Sequence, residues 1–321
     1  MANKRPDFYN YDPSLAAAVI FTVVFAASTT ISCFQLYKAL KHPNAAKIDK
    51  KRALVILPFI AGGLCEIVGC VCRIISSQNP SLLRPFVVQA VLLLVAAALF
   101  AATIYMVLGR IIAVLECHSR SLVPAKWLTK IFVVGDVVSF VMQGVGASVR
   151  ASDRSRAAHA ERIIIGGLFV QIGFFAVFMV VLALFQLQIR KRPSAEALCL
   201  RNVPSKWRNW QSILVVLFLC SFLILVRSIV RAVEFLSGFD GFLISNEVFI
   251  YTLDLLLMFL NMVLLSWQNV CGYFVEVGPM ARSGTLEGPE SRSGKVEGVF
   301  RWDSAEKSDQ TMEERLTESS A

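Results

Sequence analysis

Long stretches of Leu, Val, Ile, Phe and Ala alternate along the chain with short loops that hold most of its Lys and Arg. A helix needs about 20 apolar residues to cross roughly 30 Å of hydrocarbon. Seven segments meet that length: Ser14–Tyr37, Ala53–Ile75, Phe86–Ile112, Leu128–Val149, Ile163–Phe185, Ser212–Leu236 and Val248–Val270. Their apolar runs are continuous and not alternating, which excludes a β-barrel. The pattern therefore predicts an all-α, polytopic membrane protein of seven transmembrane helices over 14–270. The polar segment 1–13 precedes it, and 271–321 follows as Gly, Ser, Glu, Arg and Asp with few apolar residues, the composition of a disordered tail. No internal repeat is evident.

Orientation follows from the Lys and Arg of the loops, since basic residues stay cytoplasmic. The first, third and fifth loops carry 14 of them against 7 in the amino-terminal tail and the second, fourth and sixth loops. This places the amino terminus outside and the carboxyl terminus in the cytosol. The composition agrees with a lipid solvent: 56% of the 321 residues are hydrophobic and 17% charged, where a soluble chain is about half apolar and a quarter charged. The net charge of +9 belongs to loops facing lipid headgroups and gives no reason to expect a nucleic-acid partner.

The first apolar run is too long for the core of a cleaved signal and reads as a signal anchor. Eight cysteines are present, none in a loop placed outside, so no extracytoplasmic disulfide framework is expected. Cys117, Cys199 and Cys271 fall on the cytosolic side, open to palmitoylation or plain thiols. The triplet Asn79-Pro80-Ser81 has Pro in its middle and is no glycosylation acceptor.

The informative residues are ionisable ones inside the spans. Glu66, Arg73, Arg110, Asp136, Arg227, Arg231, Glu234, Glu247 and Asp254 lie within spans or at their ends. A charge at helix centre costs about 2.5 to 3.5 kcal/mol even on the lenient insertion scale. Unpaired, the set would exceed the stability of a folded domain, about 5 to 15 kcal/mol. These side chains must face one another, or water, between the helices.

Spacing supports that inference, because positions three, four and seven apart share a helix face. The second span carries Gly62, Glu66, Gly69 and Arg73. The fourth has Asp136, Ser139, Gln143 and Gly146, with Gln171 at similar depth in the fifth. The sixth has Arg227, Arg231 and Glu234, and the seventh Glu247, Tyr251, Asp254 and Asn261. The orientation puts most of the charges in the outer half. Two readings stand. One is an ion-pair network that fixes helix register, with Glu66 on Arg227 or Arg231, Asp254 on the other Arg, and Arg231 on Glu234. The other is a hydrated cavity that takes the headgroup of an amphiphile.

Several classes are excluded. His42, His118 and His159 all lie in loops, so no intramembrane zinc hydrolase is expected, nor any metal or cofactor. No span interior holds the Lys of a retinal pigment; Lys130 sits at a cytosolic edge. Gly109-Arg110-Ile111 and Leu264-Leu265-Ser266 stand where a rhodopsin-like receptor has its signatures, and no phosphate-binding Gly loop occurs. No catalytic residue is assigned.

Six strings taken in order resemble one family. They are Glu66-Ile-Val-Gly69-Cys-Val-Cys-Arg73, Ala102-Thr-Ile-Tyr105-Met-Val-Leu-Gly109-Arg110, and Phe132-Val-Val-Gly-Asp136-Val-Val-Ser-Phe-Val-Met-Gln143-Gly-Val-Gly146. Gly166-Gly167 with Gln171, Arg227-Ser-Ile-Val-Arg231-Ala-Val-Glu234-Phe-Leu-Ser-Gly238, and Glu247-Val-Phe-Ile-Tyr251-Thr-Leu-Asp254 complete the set. The chain is similar in these to the RTA1-like family of fungal lipid-translocating exporters. Cys70, where an aromatic is expected, and Thr103, where Ser is usual, depart from the pattern. The resemblance implies a multi-pass protein of the fungal plasma membrane, linked to release or flipping of sphingoid long-chain bases and to tolerance of toxic amphiphiles. The expected partners are membrane lipids and a small amphiphilic substrate. Candidate ligand residues are Glu66, Arg73, Asp136, Gln143, Gln171, Arg227, Arg231, Glu234, Glu247, Tyr251 and Asp254. A receptor-like sensor of lipid or drug stress, signalling through its tail, is the competing expectation.

Overall fold

The computed structural model describes residues 15–42, 53–78, 83–115, 125–152, 157–191, 200, 209–236 and 251–282. They form α1 (Leu15–Lys41), α2 (Leu57–Gln78), α3 (Leu83–Val114), α4 (Ala125–Ser152), α5 (Ala157–Lys191), α6 (Trp210–Leu236), α7 (Leu256–Gln268) and α8 (Val270–Arg282). A 3-10 turn, Leu54–Ile56, opens α2, and a π-helical turn, Tyr251–Leu255, opens α7. Counting α7 with its π turn and the first residues of α8 as one span, seven helices among the described residues are long and apolar enough to cross a membrane. All seven expected spans are present, most of them longer than the apolar runs suggested.

Successive helices pack as neighbours, α1 closes the ring against α7 and α8, and α3 also reaches α6. α3 runs through the middle. Ala96, Phe100, Ile104, Leu108 and Ile112, spaced by four, are all fully buried, as one face of a central helix requires. By contrast α1 turns Ile20 and Val23 outward, about 60% exposed. Such apolar surface is what a lipid-facing helix presents. The hydroxyls of Thr22, Ser28, Thr29 and Ser32 on α1 donate to carbonyls one turn back at 2.7 to 3.0 Å, which satisfies each O–H within its own helix.

Small residues set the helix spacing. A Cβ on Gly146 of α4 would lie 2.6 Å from Ile164 Cγ1 and 2.8 Å from the Ala160 carbonyl of α5; one on Gly167 would lie 2.8 Å from the Ser139 carbonyl. The α4–α5 hairpin closes only because both positions are glycine.

The seventh span breaks at Asn269, whose φ of 43° is left-handed, a conformation asparagine tolerates better than most residues. Its backbone N–H closes on Ser266 at 3.1 Å, and its Oδ1 accepts the Gly272 N–H at 3.1 Å. One residue thus ends α7 and caps α8. The reading of 271–321 as a tail unable to bury a core fails for its first residues: Cys271, Tyr273, Phe274, Val275 and Val277 are buried. Cys271 donates its Sγ–H to the Ala53 carbonyl at 3.6 Å and is no exposed acylation site. Cys117, Cys199 and residues 283–321 lie outside the described residues.

Candidate functional site

The residue types that must turn inward do so. Glu66, Arg73, Asp136, Gln143, Arg227 and Asp254 are all at most 5% exposed, and Gln171, Arg231 and Glu234 are half-buried. They fall into two groups.

The first joins α6 to the π turn. Arg227 and Arg231 stand one turn apart on α6, so both guanidinium groups reach the same side. Asp254 lies between them. Its Oδ1 is 2.5 Å from Arg227 Nε, and its Oδ2 contacts Arg231 Nη2. Arg231 Nη1 reaches on to Glu234 Oε2 at 3.2 Å, and Arg227 Nη2 donates to the Leu93 carbonyl of α3 at 3.2 Å. These two bases and two acids balance in formal charge. Such a set survives in a low dielectric only because every member is paired, since loss of one partner strands a charge that hydrocarbon cannot solvate. The π turn aims the acid. Widened turns recur in helices where function needs a side chain redirected, and here the widening falls on the five residues that carry Asp254.

Glu66 stands beside this group without joining it. It lies on the α3-facing stripe of α2, between Gly62, against Phe100 and Ala96, and Gly69, against Leu93. Arg227, Asp254 and Arg231 are all within electrostatic reach. Yet it is fully buried, and neither carboxylate oxygen has a hydrogen-bond partner among the described residues. The expected pairing is thereby corrected: Asp254 takes both arginines, and Glu66 takes neither. The reason is reach. Asp254 approaches α6 from an adjacent helix with an oxygen for each guanidinium, and Arg231 spends its remaining edge on Glu234.

The second group is neutral in its contacts. Tyr105 of α3 donates its hydroxyl to Asp136 Oδ2 of α4 at 3.0 Å, leaving Oδ1 without a partner among the described residues. Tyr105 in turn packs edge-on to Phe178 at 4.5 Å and against Phe132 at 5.5 Å. One turn pair further along, Gln143 Nε2 donates to Gln171 Oε1 at 3.1 Å, tying α4 to α5. Asp136 is thus held apart from the arginine cluster, and a tyrosine, absent from the candidate set, is its partner. Arg73 is buried with contacts of its own. Glu247 lies outside the described residues, and of Tyr251 only the backbone, in the π turn, is described.

The family described as RTA1 like protein matches residues 59–276, a stretch that includes both groups. The chain belongs to the RTA1-like family. Among its relatives in Saccharomyces cerevisiae, Protoporphyrin uptake protein 1 is 38% identical, with the match spanning 84% of this chain and 94% of that protein. Protein RTA1 is 36% identical over 81% of this chain and 84% of its own. Sphingoid long-chain base transporter RSB1 is 26% identical over 65% and 62%. No solved structure matches the chain. Within this RTA1-like chain no three His, Cys, Asp or Glu among the described residues stand close enough to hold a metal ion.

Other inward polar ties escaped the sequence, although Asn261 stood on the stripe read in the seventh span. Ser32 and Gln35 of α1 both bond to Ser266 of α7, Oγ to Oγ at 3.0 Å and Nε2 to the carbonyl at 2.8 Å. Asn261 Nδ2 donates to the Cys220 carbonyl at 3.1 Å. Ser32 and Gln35 sit one turn apart and so share a face, which was the available signal.

Proposed function

We propose that this protein is a transporter of amphiphilic lipids in the plasma membrane, carrying molecules with a cationic headgroup, sphingoid long-chain bases being the leading class. It acts by binding and release and not as an enzyme. The observation that carries this reading is the composition of the α2–α6–α7 cluster: two arginines and two acids already in balance, with a third acid, Glu66, buried next to them and unpaired among the described residues. A site with one surplus carboxylate favours an organic ammonium over an anion.

The headgroup enters between α2, α6 and the π turn while the chains stay in lipid. Its ammonium meets Glu66 and competes with Arg231 for Glu234 and Asp254, and release is the return of the arginine to its acids. Because one set of charge-assisted contacts replaces another, the exchange needs no large net change in free energy. Support at family level comes from a relative named as a sphingoid long-chain base transporter. The relative named for protoporphyrin uptake points to a different headgroup, and competition by that dicarboxylate distinguishes the two chemistries. Movement of such molecules out of the cell is how the protein contributes to resistance against toxic amphiphiles.

The test is release of a labelled long-chain base from cells or proteoliposomes by the parent, Asp254→Asn and Glu234→Gln. Slower release from both variants at equal surface amounts is expected, and equal release from all three removes these carboxylates from the mechanism. Truncation before Arg282 separates carrier from sensor: a carrier keeps its release, a sensor loses its downstream response.

A further inference from the structure

Hydrocarbon sets a strict condition on Glu66. An ionised carboxylate needs two or more donors, and an unpaired one buried in low dielectric costs far more than taking up a proton. Among the described residues, the charged donors within reach are already committed. Arg227 serves Asp254 and the Leu93 carbonyl; Arg231 serves Asp254 and Glu234. On its own helix, Arg73 lies two turns away, about 10 Å along the axis, with contacts of its own. Cys65 and Cys70 are the other titratable groups of α2 near it. α1 presents no ionisable side chain between Leu15 and Ser32, and α3 none between Pro85 and Ile104. Among the described residues, the charged groups facing it are therefore Arg227 and Arg231 from α6 and Asp254 from the π turn; with Glu234, which takes the remaining edge of Arg231, the set has no charge to spare.

We propose that Glu66 holds a proton when the site is empty and surrenders it when a cationic headgroup binds, so that each organic cation taken up displaces one proton. The inference rests on the headgroup reading above and gives it a stoichiometry. The exchange balances: the carboxyl O–H bond breaks, the proton leaves to water, and the carboxylate formed pairs with the ammonium. No oxidant, nucleotide or metal takes part. A proton gradient across the membrane then drives the cation the opposite way, with Glu66 as the residue that both ions use in turn.

The decisive probe is a quaternary ammonium amphiphile, dodecyltrimethylammonium below its micelle concentration, because it carries no proton of its own. The full-length protein in lipid nanodiscs is titrated with it in two buffers of different ionisation heat. The expected result is release of about one proton per cation bound, with affinity rising about tenfold per pH unit while the empty site is protonated. Glu66→Gln is expected to bind without proton release and without that pH slope, and Glu66→Asp to keep both. Cation binding by the parent with no proton released overturns the inference, as does proton release that persists in Glu66→Gln. Infrared absorption of the ligand-free protein gives an independent reading: a protonated-carboxyl C=O stretch is expected in the parent, shifted in Glu66→Asp and lost in Glu66→Gln. Should the parent bind no cation at all, the headgroup reading falls, and this band alone decides the proton. Its absence, with Glu66 ionised in the empty protein, refutes the proposal outright.

Discussion

The two polar regions of the bundle solve the same problem in different ways. In the α4–α5 hairpin and its contact with α3, glycines bring backbones together and neutral donors meet neutral or single carboxyl acceptors, Tyr105 with Asp136 and Gln143 with Gln171. At the α6–α7 junction, full charges are buried, a π turn redirects the acid, and every guanidinium spans two acceptors. Neutral ties in a membrane are individually weak, because the unfolded helix also finds partners in the bilayer. Charge pairs are strong only as a complete set. The hairpin therefore reads as scaffold and the junction as the part able to exchange partners.

The sharpest way to break this contrast is at Asp254. Asp254→Asn leaves Arg227 without an acid and Arg231 with Glu234 alone, and is expected to cost about 3 to 5 kcal/mol, read as a large fall in the unfolding midpoint of the detergent-solubilised protein. Arg231→Gln should cost less. Its side chain is 16% exposed, and Asp254 keeps Arg227. Combining Asp254→Asn with Arg227→Gln should recover part of the single-variant loss, the signature of a shared pair. Additive losses would argue that the arginines find other acceptors.

In the hairpin the largest effect is steric. Gly146→Ala meets the Ala160 backbone and should cost about 1 to 3 kcal/mol, whereas Gly144→Ala, with nothing within 4 Å, is expected to be neutral. Equal behaviour of the two would dissolve the close-packing argument. Smaller again is Tyr105→Phe, which leaves Asp136 without its donor, expected at about 1 to 2 kcal/mol by the same midpoint measurement. Gln143→Leu, at about 0.6 kcal/mol, should be smallest. A Gln143→Leu loss as large as that of Asp254→Asn would erase the distinction between scaffold and exchange site.

Much of this was legible in the chain. Seven apolar runs fixed the helix count, and the stripes at Glu66, Asp136, Arg227 and Asp254 marked their inward faces, because helix periodicity is local. The Arg231–Glu234 pair was legible for the same reason. Partner choice between helices was not. Whether Asp254 or Glu66 captures Arg227 depends on the relative height and rotation of α2, α6 and the π turn, which no local spacing encodes. The link from Asp136 to Tyr105 was hidden likewise: Tyr105 reads as one more buried aromatic until α3 and α4 are placed side by side. The end of the seventh span was misjudged at 270 because Gly272 and Glu276 dilute an apolar face that Tyr273, Phe274 and Val277 still supply beyond the break at Asn269.

That break bears on biogenesis. The seventh span is made of the 5-residue π turn, the 13 residues of α7 and the first turns of α8, and it is the least apolar of the set. Synthesis proceeds from the amino end, so Arg227 and Arg231 have already left the ribosome when Asp254 emerges. The acid thus follows its cations into the bilayer, on a span that Asn269 divides into α7 and α8.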